Sequence, residues 1–238
     1  MKAVRIFIIL SAALILFIAC DKQESKSKNE YHYQTINEID TLHTKVIYAN
    51  EFARVVRLDL HSQESIPMHN TEPRLVYILN DYQITLHENG KDTVLQRKQG
   101  EIHWHGSQAH SWTNTGDNIA SCLIISRTDK MLPDYAASNL EHDVAHVENV
   151  NSQLLFENDY VRTVKVTLPV GGEIPTHEGI NRLMIALNNF DIELTTADNV
   201  SLPLSLTTEE ARWFLQGEHS IKNIGETEAE YLIISFKK

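Results

Sequence analysis

An internal duplication constrains this 238-residue chain more than any other feature. Asn50-Glu51-Phe52-Ala53-Arg54-Val55-Val56 returns about 108 residues later as Asn158-Asp159-Tyr160-Val161-Arg162-Thr163-Val164, and the match continues from Ile66-Pro67-Met68-His69 to Ile174-Pro175-Thr176-His177. Arg74-Leu75 matches Arg182-Leu183, and Leu79-Asn80 matches Leu187-Asn188. A second block sets Trp104, His110, Asn114, Gly116 and Leu123-Ile124-Ile125-Ser126 against Trp213, His219, Asn223, Gly225 and Leu232-Ile233-Ile234-Ser235. This period is far longer than the roughly 20 to 50 residues of solenoid repeats, so each copy has to bury a core of its own.

The duplicated body follows a different kind of segment. Lys2 and Arg5 precede an apolar run from Ile6 to Ile18, and Ala19-Cys20 closes it. The run is shorter than the roughly 20 residues of a comfortable bilayer span. It resembles a bacterial lipoprotein signal, in which the chain is cut before the cysteine and Cys20 is acylated, although Phe17 stands where Leu is common. An ordinary signal peptide or an uncleaved anchor is the other reading. Residues 21–30 are polar and lack aliphatic side chains, so they suit a tether. On this basis residues 1–19 form a signal peptide, 20–40 a tether, 41–128 the first domain, 129–151 a connector and 152–238 the second domain. The localisation that follows is the bacterial envelope, with a lipid anchor as the contact to the membrane.

With Cys20 acylated, the one other cysteine, Cys122, has no disulfide partner and reads as a small buried strand residue. The formal net charge of −11 argues against nucleic acid as a partner.

Hydrophobic alternation predicts strands at Phe52–Leu60, Leu75–Leu79, Tyr82–Leu86 and Ala120–Ser126, with a hairpin turn at Asn89-Gly90. The second copy repeats them at Val161–Leu168, Arg182–Leu187, Asp191–Thr195 and Tyr231–Phe236. Helical turns are expected only within Asp129–Leu140 and at Thr208–Ala211. Short strands at regular spacing make the fold class all-β.

The succession of strand, Pro-x-His, strand, Asn-Gly turn, Trp and His110-x-x-x-Asn114 resembles the cupins, and two copies in one chain resemble the bicupins. The resemblance runs from about Tyr48 to Phe236. It implies two tandem jelly-roll barrels, with ligands for a divalent metal (Fe, Mn, Zn or Ni) at the mouth of each. It also implies a metal-dependent chemistry of dioxygenase, decarboxylase, lyase or isomerase type. His110 and His219 match the second cupin motif, with Asn114 and Asn223 closing the turns that follow.

The first cupin motif departs from the pattern. His69 and His177 stand alone where the family has two histidines, and Arg74 and Arg182 fall where its metal-binding Glu would align. A transition-metal site needs three or four ligands and no cation among them.

In the first barrel the metal candidates are His69 and His110, with His105 as a third ligand if it points inward, and Glu72 as a replacement carboxylate. His177 and His219 are the weaker pair in the second. Arg74 and Arg182 are candidates for gripping a carboxylate or other oxyanion; an ion pair with a neighbouring acidic residue is the alternative. Trp104 and Trp213 read as packing residues, with a stacking platform for a ligand as the other role of Trp104.

Two functions stand at this point. One is an enzyme with metal on His69 and His110, Arg74 orienting an anionic substrate, and Glu72 or His105 moving a proton. The other is a metal-free binding or interaction module for a small anionic molecule. The oligomeric state is open.

Overall fold

The computed structural model describes residues 35–130, 132 and 140–237. The signal, Cys20 and the tether up to residue 34 lie outside the described residues, as does most of the connector segment expected to hold a helical turn.

The first copy forms β1 (Thr44–Ala49), β2 (Ala53–Leu60), β3 (Ser65–His69), β4 (Arg74–Ile78), β5 (Tyr82–Glu88), β6 (Lys91–Arg97), β7 (Ile102–His105), β8 (His110–Asn114) and β9 (Ala120–Arg127). The second forms β10 (Asn151–Glu157), β11 (Val161–Leu168), β12 (Glu173–Gly179), β13 (Arg182–Ala186), β14 (Phe190–Thr196), β15 (Ser201–Leu206), β16 (Ala211–Phe214), β17 (Gly217–Asn223) and β18 (Ala229–Phe236). In each copy a five-stranded sheet faces a four-stranded one. The orders are β1-β2-β9-β4-β7 and β3-β8-β5-β6 in the first, and β10-β11-β18-β13-β16 and β12-β17-β14-β15 in the second. All pairings are antiparallel. The all-β, two-barrel class read from the repeat is the observed one.

The alternating pleat divides β4 between two cores. Val76 and Ile78 enter the interior of the first barrel, where they join Leu58, Ile66, Trp112 and Ile124. Leu75 and Tyr77 point the other way, into an apolar seam shared with Leu183, Ile185, Leu232, Ile234 and Phe236 of the second copy. The five-stranded sheets therefore pack back to back. This explains why β4, β9, β13 and β18 read as nearly continuous apolar runs: both faces of each are covered.

The two tryptophans that match in the repeat lie at this seam. Trp104 of the first copy stacks on Tyr160 (5.7 Å) and Phe156 (6.3 Å) of the second, and Trp213 of the second stacks on Phe52 (5.4 Å) of the first. Tyr160 and Phe52 are equivalent residues of the repeat, so the seam is reciprocal, as in a two-fold dimer fused into one chain.

Three expectations need correction. Ile36, in the helical turn α1 (Ile36–Ile39), is buried in the first barrel's core, so the folded body begins before residue 41. Val144, in the 3-10 turn Val144–His146, plugs the second barrel in the same way, so the end of the connector belongs to that core. At Thr208–Ala211 there is a tight turn with Glu209 at φ 68°, followed at once by β16, because Ala211 pairs with Ile185.

The Asn-Gly turn is as expected: Asn89 and Gly90 both have positive φ and join Glu88 to Lys91 in a two-residue hairpin. Asn114, fully buried, donates to Leu60 O (2.7 Å) and Asn118 O (2.8 Å) and accepts from Gly116 N (3.0 Å). Asn223 repeats the arrangement with Leu168 O, Thr227 O and Gly225 N. Each amide ties a turn to the strand across the barrel. Removing it strands buried carbonyls, so Asn114→Ala and Asn223→Ala should each cost roughly 2–4 kcal/mol in chemical denaturation, with the two effects similar.

Candidate functional site

Sheet register brings the histidines together. His69 is paired directly with His110 across β3 and β8, and His177 with His219 across β12 and β17. Their ring centroids are 4.3 Å and 4.2 Å apart. In all four, Nδ1 faces a backbone carbonyl: Pro67 O at 2.6 Å, Gln108 O at 2.6 Å, Pro175 O at 2.9 Å and Gly217 O at 3.2 Å. A carbonyl can only accept, so Nδ1 carries the proton and, in the neutral ring, Nε2 presents a lone pair to the interior.

The arginines meet these lone pairs. Arg74 is the first residue of β4, its side chain inside the barrel and 1 % exposed. Its Nη2 donates to His110 Nε2 at 2.6 Å, and its Nη1 donates to Thr71 Oγ1 and, at 3.4 Å, to Glu72 O. Arg182 begins β13; its Nη2 donates to His219 Nε2 at 2.9 Å and its Nη1 to Ile180 O and Leu215 O, both at 3.1 Å. The position equivalent to Thr71 is Gly179, packed so closely under the Arg182 guanidinium that a Cβ there would force it to move. Every one of these hydrogen bonds ends on a neutral acceptor. Burial pulls each guanidinium down to about 10.

The two interiors differ around this common motif. In the first, His105 and His103 share the inward face of β7, with His105 opposite Arg74 and its ring 6.0 Å from Trp112. In the second, Phe214 takes the place of His105 and lays its ring over Arg182 at 5.3 Å. There Arg182, His177, His219, Tyr231, Asp143 and Val144 line a cavity of about 10 Å³, room for one water. The Tyr231 hydroxyl is buried with no hydrogen-bond partner.

The donor set does not fit a divalent transition metal. Two imidazoles converge in each barrel, but the Nε2 lone pair of one of them, His110 or His219, is taken by a guanidinium, and a fixed positive charge stands beside both. Among the described residues no three His, Cys, Asp or Glu side chains are grouped so as to hold a metal ion. Glu72 does not fill the gap: it lines a cleft at the seam with Leu75 and Trp104. His105 faces the interior but completes no such group.

Thr71, Gly179, Tyr231 and the Asp143-Val144 plug belong to these sites and were not singled out from sequence. Thr71 and Gly179 could have been found by extending the alignment of the copies through the loop before the Arg. The plugs could not, because Ile36 and Val144 stand in short segments, with apolar neighbours at Ile39 and at Val147 and Val150, that say nothing about which barrel end they close. Cys122, equivalent in place to Tyr231, is buried as expected, and burial raises its thiol to about 12.

No protein-family model matches the sequence, and no curated protein matches it. Solved structures do match in fold. AerE from Microcystis aeruginosa aligns at 15% identity and a TM-score of 0.60 over 83% of this chain and 94% of its own. Oxalate decarboxylase from Lactobacillus farciminis, solved as a formate complex, aligns at 10% identity and a TM-score of 0.60 over 82% and 81%. The Bacillus subtilis oxalate decarboxylase, described with Mn(II) centres, aligns at 11% identity and a TM-score of 0.54 over 78% and 69%. The fold is thus that of the bicupins, two cupin barrels in one chain, and identities this low speak to fold alone.

Burial, and then the neighbouring arginine, depress His110 to about 4 and His219 to about 3 from an ordinary 6.5. His105 falls to about 3 by the same causes, and His69 and His177 move in the same direction. A folded-state value below the unfolded one means that the unfolded chain binds the extra protons. The stabilisation is complete above pH 6.5 and is lost as pH falls through 4 toward 3. His43, raised by its hydrogen bond to Asp40, acts in the opposite sense, and above 6.5. Stability in denaturation should therefore fall as pH is lowered from 6.5 toward 3, with His105, His110 and His219 each contributing on the order of a few kcal/mol at about 1.4 kcal/mol per unit. In His110→Gln the slope over this window should be shallower.

Proposed function

We propose that this protein is a metal-independent bicupin that captures a small organic anion, with the first barrel as the working site and Arg74 as the anchoring cation. The supporting observation is a buried charge with no carboxylate hydrogen-bonded to it. Arg74 is hydrogen-bonded to neutral groups only, the Glu72 carboxylate acts on it through space without a hydrogen bond, and its Nε, like the Nε2 of His69, is buried with no partner. A buried guanidinium without an ion-pair partner costs several kcal/mol, which a carboxylate gripped in bidentate fashion would offset. A donor on the same ligand, such as a hydroxyl or a protonated second carboxyl, matches the lone pair of His69. The ligand class is therefore a small hydroxy acid or dicarboxylic acid. The oxalate decarboxylases of like fold also handle small carboxylates.

The first barrel is preferred because Phe214 covers Arg182 in the second, whereas the equivalent His105 leaves a polar wall beside Arg74. If the site catalyses a reaction, the neutral His69, whose Nε2 has no partner, is the group able to take a proton from the bound acid, with Arg74 fixing its carboxylate. Glu72 has no part in this scheme.

Acetate, glycolate, oxalate, phosphate and chloride, titrated against the body in calorimetry and thermal unfolding, test the reading. A small carboxylate at a hundred times its Kd should stabilise the wild type by about 2.7 kcal/mol, with the effect lost in Arg74→Gln and kept in Arg182→Gln. Absence of any shift with all five anions would sink the proposal. So would stoichiometric Fe, Mn, Zn or Ni in protein purified without chelator, if lost in His69→Ala and His110→Ala.

We also propose that the body is held at the bacterial envelope by acylated Cys20, on the sequence pattern of residues 1–20. In Cys20→Ser, acyl labelling should vanish and the protein should leave the membrane fraction. Continued membrane binding of an uncleaved, labelled chain would overturn this.

A further inference from the structure

The interior of the first barrel is plugged on one side and reaches solvent on the other. Helical turn α1, packed beside β1, fills the first side with Ile36. At the opposite side run β6 and β7, the outer strands of the two facing sheets, which do not pair with each other. Arg97, the last residue of β6, points inward there. It lies directly across from Tyr82, as Leu95 lies across from Ile84; Tyr82 and Ile84 are core residues, and directly opposite residues share a face. His103 and His105 of β7 face the same interior, and His105 stands opposite Arg74.

Arg97, His103 and His105 are half-buried. Among the described residues nothing forms a hydrogen bond or ion pair with Arg97 or His105. Glu101 meets Arg97 only through space and is itself hydrogen-bonded to Lys98 N and His103, both at 3.1 Å.

The second copy shows that the fold does not require these groups. Tyr82 matches Phe190, whose partner across the hairpin is Leu206, 2 % exposed in the second core. Position 105 is matched by Phe214. The second barrel thus places two apolar side chains where the first presents a guanidinium and an imidazole. An unpaired guanidinium at an edge open to solvent raises the local concentration of anions, and the neutral imidazole beyond it offers an N–H on the way to Arg74.

We propose that the β6/β7 side of the first barrel is the entrance to its anion site, with Arg97 drawing anions in and His105 at the inner end of the passage. This rests on the reading of Arg74 as an anion anchor and adds the route and its charge selectivity.

Trp112 reports on the passage from within, its buried ring 6.0 Å from His105 and 5.9 Å from His110. In a parent carrying Trp104→Phe and Trp213→Phe it is the one tryptophan left of the chain's three. At constant ionic strength, iodide quenching of Trp112 should fall at least about threefold in Arg97→Leu, which copies Leu206, and hold in Arg97→Lys. Quenching by neutral acrylamide should not change in Arg97→Leu. His105→Phe, which copies Phe214, should reduce both. No iodide quenching in the parent, iodide quenching unchanged in Arg97→Leu, an equal fall with acrylamide, or full quenching by both in folded His105→Phe would overturn the proposal. Oxalate separates the two readings: its failure to bind would count against the anchor at Arg74, while iodide still decides the entrance. Where oxalate binds, its association in stopped flow should slow in Arg97→Leu by the same factor, and unchanged association would overturn the entrance.

Discussion

Strands β4 and β13 are buried on both faces, one against their own barrel and one against the seam, and each begins with an arginine. In such a strand there is no solvent side on which a charge can be placed, so the guanidinium has to be accommodated inside the barrel. The arrangement around it follows from that need. The histidines present lone pairs because their Nδ1 protons are spent on carbonyls, and Thr71 or the carbonyls of Ile180 and Leu215 take further donors. A guanidinium among neutral acceptors then occupies the electrostatic position that a metal ion would fill, and it keeps its histidines unprotonated.

Much of the architecture was legible in the sequence because the duplication supplied an internal comparison. Strand positions recurred in both copies, and His69 with His110 and His177 with His219 could be matched as equivalent pairs. Their convergence depends on strand register, which the hydrophobic alternation sets. The turn-closing roles of Asn114 and Asn223 were equally readable, since an Asn acts on its own following residues.

What stayed hidden depends on tertiary contacts. The outward faces of β4, β9, β13 and β18 show only as extra hydrophobicity; nothing local says that the cover is the other copy. Trp104 and Trp213 read as packing residues, and the seam they pack in became visible only once both barrels were in place. The same holds for Glu72, whose spacing from His69 suited a ligand while the loop that carries it into β4 places it at the seam cleft. Ile36 with Ile39, and Val144 with Val147 and Val150, recur at a spacing of three, but over segments too short to show where they dock.

The differences between the copies fall where function diverges. Around Arg182, the ring of Phe214, the close approach of Gly179 and the plugged cavity satisfy and cover the charge. Around Arg74, Thr71 and His105 are polar, and two buried atoms, Arg74 Nε and His69 Nε2, remain without partners. In the second copy the orphaned groups are others, the Tyr231 hydroxyl and Asn181 Oδ1, and the cavity that Tyr231 lines has room only for a water, so the contrast lies in the arginine and its histidine partner and not in the number of unpaired atoms.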